Sequence, residues 1–575
     1  MVRLLFVVSA VLAVLPGAWG QTVDVDSLLE RLTLEQKVGQ MHIIGYKGRE
    51  LTPEMKKLID DWCLGGFFFQ IGDNFDDPRM CASLVNSLQK AALSSPAGIP
   101  LLTCMDQEGG VGVQIRYEQG AVPTPGNMAL GASGREQDAY AAYNALGTDM
   151  RACGVNVNFA PAIDVLYRPK NPDYTVRLFS GDIHLNAVMA RGAVRGLQDA
   201  NIIACAKHWP GLVYYEQDTH FAAPHVTESD QELRKGDFAH FRAAIEAGTD
   251  MIMSHMIYVD AWDPENIVTT SPKLIDGILR GELGYDRLIV TDSMSMESIT
   301  SIFDHGEAAA RSVVAGCDLV LQVARDVEQL RERIDGVLKA VNDGEISEDR
   351  IDESVRRILK AKAKYNLFEN PYADLENFDK NFGRADLVAA NKRAALNGVV
   401  LVRDDAKLLP LARTGKKICV ISPPDVIIRP GKPPGWDVPI GGTLGGFVQT
   451  VVPDAVEVQV NTVPTEAAIA EALSKAEAAD IVIGYSLLAR QSPKQVAFLK
   501  KLLGLGKPTV IVGLGDPSDM EFFTEMQTFV AANSPAPISM GAAVSVIFGD
   551  AKPGGRLPML IGDLYPIGYA LALER

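Results

Sequence analysis

From about residue 27 to 370 the chain alternates short apolar runs of strand type with longer segments whose apolar residues recur at helical spacing. The runs are GGFFFQI (65–71), IPLLTCM (99–105), VNVNFAP (155–161), IIACA (202–206), DMIMS (250–254), LIVT (288–291) and DLVLQ (318–322). Between them lie segments such as EQDAYAAYNALGTDMRACG and PKLIDGILRGEL. Strands separated by helical crossovers run parallel, and strands covered by helices on both faces are apolar throughout, as these are. Seven such units over roughly 340 residues predict a (β/α)8 barrel of the TIM type rather than an open sheet.

The alternation pauses and then resumes. NPYADLENFDKNFGRAD (370–386) is polar, dotted with aromatics and without period, so the barrel is placed at 23–369 and a linker at 370–395. After the helical stretch LVAANKRAALNG come strand-like runs at KKICVI, VEVQV, ADIVIGY, PTVIVGLG and QTFVAANS. They predict a smaller α/β sandwich domain over 396–575. Its Gly/Pro-rich stretch from Pro430 to Gly442 lacks the residue order of a phosphate cradle and reads as an exposed loop at the domain edge.

A 575-residue chain that is 47% hydrophobic and 22% charged has apolar material for two such cores. Its net charge of −17 disfavours nucleic acid and anionic membrane as partners. At the N-terminus, Arg3, an apolar run from Leu4 to Leu15 and the small residues around Trp19 read as an export signal over residues 1–20, which predicts a periplasmic or extracellular protein. That run is shorter than a membrane span of about 20 residues, so the expected membrane contact is confined to an uncleaved signal anchor. The seven cysteines show no C-x-x-C spacing, and Cys104, Cys205 and Cys419 sit inside apolar runs; mostly free, buried thiols are expected.

In a parallel barrel the chemistry gathers where strands end, so the residues after each run are the candidates. IPLLTCM delivers Asp106 and Glu108; VNVNFAP leads to Asp164, Asn171 and Arg177; IIACA delivers Lys207 and His208, then Asp218-Thr219-His220; DMIMS delivers His255; LIVT delivers Asp292. Five rim loops bearing Asp, Arg, Lys or His form the convergent polar pocket that a hydroxyl-rich ligand requires. No metal or cofactor is expected: the histidines lack the i, i+4 spacing of a zinc helix, and Lys207 and Arg177 would repel a cation.

KHWPG-x6-DTH (207–220), DQEGG (106–110), the Asn171 to Arg177 stretch and LIVTDSMSME (288–297) resemble the family 3 glycoside hydrolases, and more narrowly their β-N-acetylglucosaminidase branch. The resemblance extends from LTLEQKVGQM (32–41), which matches the family's opening helix, to GGRLPM (554–559) in its second domain. It implies Asp292 as nucleophile, His220 paired with Asp218 as acid/base, and Asp106, Arg116, Arg177, Lys207 and His208 as sugar contacts; His255, delivered by its own strand, reads either as a further substrate contact or as a support behind the contacting residues. The implied activity is retaining, exo-acting release of terminal N-acetylglucosamine from peptidoglycan fragments or chitin-type oligosaccharides. A β-glucosidase of the same family and a non-catalytic saccharide-binding relative are the alternatives.

The chemistry is coherent. Retaining hydrolysis needs a carboxylate on one face of the anomeric carbon and a proton donor on the other. A histidine serves as donor when a carboxylate orients its ring, and Lys207 and Arg177 are expected to keep Asp292 ionised. A neutral imidazole in the second step would also spare an anionic acceptor such as phosphate the repulsion of a carboxylate base. Glu108 and Asp164 read as hydrogen-bonding supports. The sequence departs from the branch in the acid/base loop, where K-H-F-P-G-H-G-D-T becomes K-H-W-P-G-L-V-Y-Y, placing Leu212 and Tyr214 at formerly polar positions and offering Tyr214 and Tyr215 as stacking surface. The text V-G-V-Q-I-R after DQEGG shifts Arg116 by one position. An aromatic content of only 7% suits a pocket that grips one terminal sugar through its hydroxyls.

Overall fold

A computed structural model of the chain describes residues 23–572 apart from 168–170, 172–175, 431 and 433–436. The expected export signal at 1–20 lies outside the described residues.

Eight strands make one parallel sheet in chain order: β1 (His42–Gly45), β2 (Gly66–Phe68), β3 (Leu102–Met105), β4 (Val157–Asn158), β5 (Ile203–Trp209), β6 (Met251–Ser254), β7 (Leu288–Val290) and β8 (Val320–Gln322). From β1 to β7 each strand pairs with the next, β8 pairs with β1, and a bridge from Val290 to Leu319 joins the two ends of the sheet. This is the expected barrel. Seven strands coincide with the apolar runs. The eighth, HIIG, follows the helix Leu34–Gln40 with only Met41 between them, so periodicity merges it with the helix. Local chemistry separates the two: Thr33 and Gln36 form a reciprocal capping box that fixes where the helix begins.

The strands are buried along their length, and Phe68 of β2 stacks on Phe159 beyond β4 with ring centroids 6.0 Å apart. Burying a phenylalanine contributes about 1.5–3 kcal/mol. Among the covering helices, Glu136–Ala152 and Ile183–Asp199 approach closely because Gly192 and Gly196 lie at the crossing. A Cβ at Gly192 would fall 2.3 Å from the Glu136 carbonyl oxygen, and one at Gly196 2.5 Å from that of Tyr140.

The segment expected as a linker is strapped to the barrel. Asn86 exchanges hydrogen bonds with the Ala373 backbone (2.7 and 3.0 Å), and Gly383 N–H donates to Asp149 (2.9 Å). The helix Ala385–Asn397 then crosses the expected boundary into a second sheet. Its strands are β9 (Val400–Asp404), β10 (Ile418–Ser422), β11 (Val456–Gln459), β12 (Ile481–Ser486), β13 (Thr509–Gly513) and β14 (Thr528–Ala531), in the spatial order β9-β14-β13-β12-β10-β11. All pairs are parallel except β9 with β14. The sequence reading finds five of the six; only two residues separate β9 from the preceding helix, and it is passed over. This sheet has its own core, distinct from that of the barrel.

The domains touch directly. Gly181 N–H donates to the Pro558 carbonyl (3.1 Å), Arg556 N–H to that of Ala132 (2.9 Å), and Asn397 Nδ2 to Asp138 (2.9 Å). All seven cysteines are free and buried, as expected. Among the described residues no helix is long and apolar enough to cross a membrane.

Candidate active site

At the C-terminal ends of the barrel strands, two cations and two carboxylates interlock. Lys207, within β5, places Nζ 2.7 Å from Asp106 Oδ1 and 2.7 Å from Glu108 Oε1. Arg177 grips the same Glu108 through two hydrogen bonds, Nε to Oε2 and Nη2 to Oε1, both 2.8 Å. Burial alone would raise the Glu108 pKa, but Arg177 and Lys207 overcome it and hold the carboxyl well below the usual range. For Lys207 burial pulls the other way, and Asp106 and Glu108 keep the ammonium above its ordinary value. Glu108 is enclosed, whereas the Asp106 side chain is 38% exposed, so Asp106 is the carboxylate of the pair open to the pocket.

The loop after β3 is shaped by Gly109 and Gly110 at φ of +86° and +61°; a Cβ on Gly110 would also sit 2.7 Å from Gly126 Cα. Gln107 then pins the returning chain, accepting from Gln114 N–H (2.7 Å) and Ile115 N–H (3.1 Å) and donating to the Ile115 carbonyl (3.0 Å). Arg116, expected at the sugar, instead opens the turn Tyr117–Gln119, where its backbone N–H donates to Gln119 Oε1 at 3.0 Å. Among the described residues no hydrogen bond or ion pair joins its guanidinium to Asp106, Glu108 or Asp292.

His208 is held from behind. Asp164 accepts its backbone N–H (3.1 Å) and faces its Nδ1 (3.0 Å), so the opposite nitrogen, Nε2, points toward Asp292 Oδ2 at 4.0 Å. Burial would raise the Asp164 pKa, but its contacts with His208 bring it below its ordinary value. His255 stacks on His208 with centroids 4.9 Å apart, and the Tyr215 hydroxyl lies 2.5 Å from its Nε2. Burial, reinforced by His208, pushes the His255 pKa down to about 3, so this ring is neutral. At 1% exposure and stacked on His208, it fits the second of its two readings, a support behind His208, better than a residue open to a sugar.

Asp292 follows β7 by two residues and accepts Ser293 N–H at 2.6 Å. Lys207 and Arg177, expected to keep it ionised, make ion pairs with Asp106 and Glu108 (Lys207) and with Glu108 (Arg177). Its loop is fastened to β8 through Met294 N–H on the Leu321 carbonyl (2.8 Å) and Leu321 N–H on Thr291 Oγ1 (3.0 Å). Buried Arg333 caps the Met294 carbonyl at 2.7 Å.

His220 and Asp218 form the expected dyad. Asp218 Oδ1 takes both the ring Nδ1 (2.7 Å) and the backbone N–H (3.0 Å) of His220 and so fixes the orientation of the ring. The Glu297 N–H donates to the His220 carbonyl (3.0 Å), tying this loop to the segment that follows Asp292. The altered residues of the loop pack inward. Leu212–Val213 pair with Val165–Leu166, Trp209 is buried and donates to the Leu274 carbonyl (3.2 Å), and Tyr214 stacks on Tyr167 (4.4 Å). The tyrosines expected as a sugar platform are thus engaged by protein. Asn171 donates to the carbonyls of Tyr215 (3.3 Å) and Gln217 (3.1 Å) and shapes this loop.

One partner of the dyad comes from the second domain. Lys432, in the stretch read as an exposed edge loop, pairs with Asp218 Oδ2, and its side chain is only 6% exposed. That reading is therefore corrected at Lys432. Sequence reasoning had no signal for Lys432, for Arg333 or for the Tyr215–His255 contact, since each depends on packing between segments far apart in the chain.

Residues 33–361 match the glycosyl hydrolase family 3 N terminal domain and residues 399–564 the glycosyl hydrolase family 3 C-terminal domain. Beta-hexosaminidase A of Pseudoalteromonas piscicida is 29% identical over 394 residues, 64% of this chain and 66% of that protein. The beta-N-acetylglucosaminidase/beta-glucosidase of Cellulomonas fimi is 27% identical over 493 residues, 81% of this chain and 85% of that protein. The structure of a glycoside hydrolase family 3 beta-N-acetylglucosaminidase from Paenibacillus sp. str. FPU-7 is similar with a TM-score of 0.85 at 33% identity, covering 92% of this chain and 99% of that one. Both domain matches fall in the family order and follow the two observed sheets, and the chain belongs to glycosyl hydrolase family 3.

Proposed function

We propose that the chain is a retaining, exo-acting β-N-acetylhexosaminidase that releases terminal N-acetylglucosamine from peptidoglycan fragments or chitin-type oligosaccharides. The observation that carries this reading is the His220–Asp218 dyad, closed at 2.7 Å on a loop tied to the segment after Asp292. The Asp292 carboxylate attacks the anomeric carbon while protonated His220 gives its proton to the departing glycosidic oxygen, and Asp218 stabilises the imidazolium before transfer. This yields a glycosyl-aspartate ester and a free alcohol. Neutral His220 then takes a proton from water as the water oxygen attacks the same carbon, releasing the sugar and regenerating Asp292. Exposed Asp106, with Lys207, Arg177 and His208 behind it, supplies the grip on sugar hydroxyls. The names of the relatives support the N-acetylglucosamine preference, and the export signal expected at 1–20 suits an extracytoplasmic glycan.

A second reading, β-glucoside hydrolysis, is favoured by the double name of the Cellulomonas fimi relative. Aryl β-N-acetylglucosaminide and aryl β-glucoside, assayed side by side on wild type, Asp292→Ala and His220→Ala, separate the two. The expected outcome is N-acetylglucosaminide turnover that Asp292→Ala abolishes and His220→Ala lowers by about 10²- to 10⁴-fold. Glucoside turnover indifferent to His220 would move the protein to the second reading. Absence of turnover of either substrate by folded wild type would leave a saccharide-binding protein.

A further inference from the structure

The contact between Lys432 and Asp218 joins the second domain to the proton donor of the barrel. Asp218 divides its two oxygens: Oδ1 serves the ring and backbone of His220, and Oδ2 serves the Lys432 ammonium. Both side chains are largely enclosed, Asp218 at 11% and Lys432 at 6% exposure, so water screens the pair weakly. The stretch that carries Lys432 is anchored at its base. Val426–Ile427 pair antiparallel with Val438–Pro439, Ile440 N–H donates to the Asp425 carbonyl (2.8 Å), and Gly442 N–H to the Asp425 carboxylate (2.7 Å). The same base meets the barrel, since a Cβ on Gly441 would fall 2.8 Å from Glu118 Oε1. At the other end the ammonium also lies 5.9 Å from the ring of Phe221, the exposed neighbour of His220.

We propose that Lys432 is a positioning residue for proton delivery: by fixing Asp218 Oδ2 from the second domain, it sets the plane of the carboxylate that orients the His220 ring. A carboxylate held at one oxygen has more freedom about its last side-chain bond than one held at both, and the imidazole shares that freedom. One anchored at both oxygens holds the ring at the angle needed for transfer. The barrel supplies the acid, and the second domain holds it in place. This inference rests on the reading of His220 as the acid/base.

The test uses the full chain. Wild type, Lys432→Met, Lys432→Arg, His220→Ala, Asp218→Asn and the double variant Lys432→Met/Asp218→Asn are compared on two aryl N-acetylglucosaminides, one with phenol and one with dinitrophenol as leaving group. An activated phenolate departs with little protonation, so only the phenyl substrate depends on the acid. The expected result for Lys432→Met is a fall in kcat/KM of about 10- to 100-fold on the phenyl substrate and less than about 3-fold on the dinitrophenyl one, with Lys432→Arg recovering most of the loss. Because the lysine acts through Asp218, Lys432→Met should add nothing in the Asp218→Asn background, a comparison that holds even if the single variant is partly destabilised. Equal losses on both substrates, no loss, or full additivity with Asp218→Asn would overturn the inference. A steep leaving-group response in His220→Ala beside a flat one in Lys432→Met removes the lysine alone; flat responses in both remove the acid/base reading as well.

Discussion

Glu108 shows how much of the site is held by residues that do no chemistry. Its carboxylate is enclosed between Arg177 and Lys207, and the depression of its pKa is the signature of those contacts. Glu108→Gln leaves Arg177 without its bidentate partner and Lys207 with Asp106 alone. Breaking a buried pair from one side costs about 3–5 kcal/mol; Arg177 retains some water contact, so a loss near about 3 kcal/mol is expected in denaturant unfolding. An unchanged unfolding midpoint would contradict the arrangement. Asp164→Asn is milder in fold but leaves His208 without its charged support, and KM should rise several-fold with kcat less affected, measured by steady-state kinetics on the aryl N-acetylglucosaminide. At this scale the sequence was informative where chemistry follows a strand: Asp106, Lys207, His208, His255 and Asp292 all stand at or just beyond apolar runs. Asp218 and His220 were legible through their motif. Lys432 and Arg333 were not, because nothing in a Gly/Pro-rich loop or in a helix far along the chain records which distant carboxylate or carbonyl it will meet.

At the scale of elements, two sets of buried carboxylates carry opposite pH dependences. At the turn Pro517–Phe522 beyond β13 and the Asp516 that caps it, burial pushes Asp516 and Asp519 above the ordinary carboxylate range, and for Asp519 the neighbouring Asp516 adds repulsion. The folded chain therefore holds protons there that the unfolded chain has released, so this contribution to stability is present at acid pH and is lost as pH rises from about 4 through neutrality, at up to about 1.4 kcal/mol per pH unit per proton. Glu108 and Asp164 have lowered values, and their contribution is full above the ordinary carboxylate range and is lost as pH falls below it. Unfolding midpoints across pH 3 to 8 should pass through a maximum, and Asp519→Asn should flatten the neutral limb; a limb unchanged in that variant would refute the assignment. The elements themselves were legible wherever a polar break isolates a run. Strands β1 and β9 escaped because each lies within two residues of a helix, and a four- or five-residue strand has no period of its own to announce it.

For the whole molecule, a net charge of −17 surrounds a pocket whose cations are mostly consumed in internal pairs. A neutral chitin-type oligosaccharide should then be hydrolysed with a kcat/KM that changes less than about 2-fold between low and moderate salt, while an anionic peptidoglycan fragment should gain as salt screens the repulsion. A stopped assay on both substrates over a salt series checks this, and a fall for the anionic substrate would contradict it. The two-domain order was readable from the resumed alternation alone. The docking of Lys432 on Asp218 across the domains was not, since it arises from surfaces that carry no periodic signal.

The account turns on Asp292 as the residue that bonds to the sugar, and peptide mapping by mass spectrometry tests that most directly. The protein is incubated with an activated fluorinated N-acetylglucosaminyl fluoride that forms the ester faster than water releases it. The expected result is one added sugar mass on the peptide containing Asp292, and none in Asp292→Ala. A label on any other carboxylate, or turnover of the reagent with the protein mass unchanged throughout, would contradict the account.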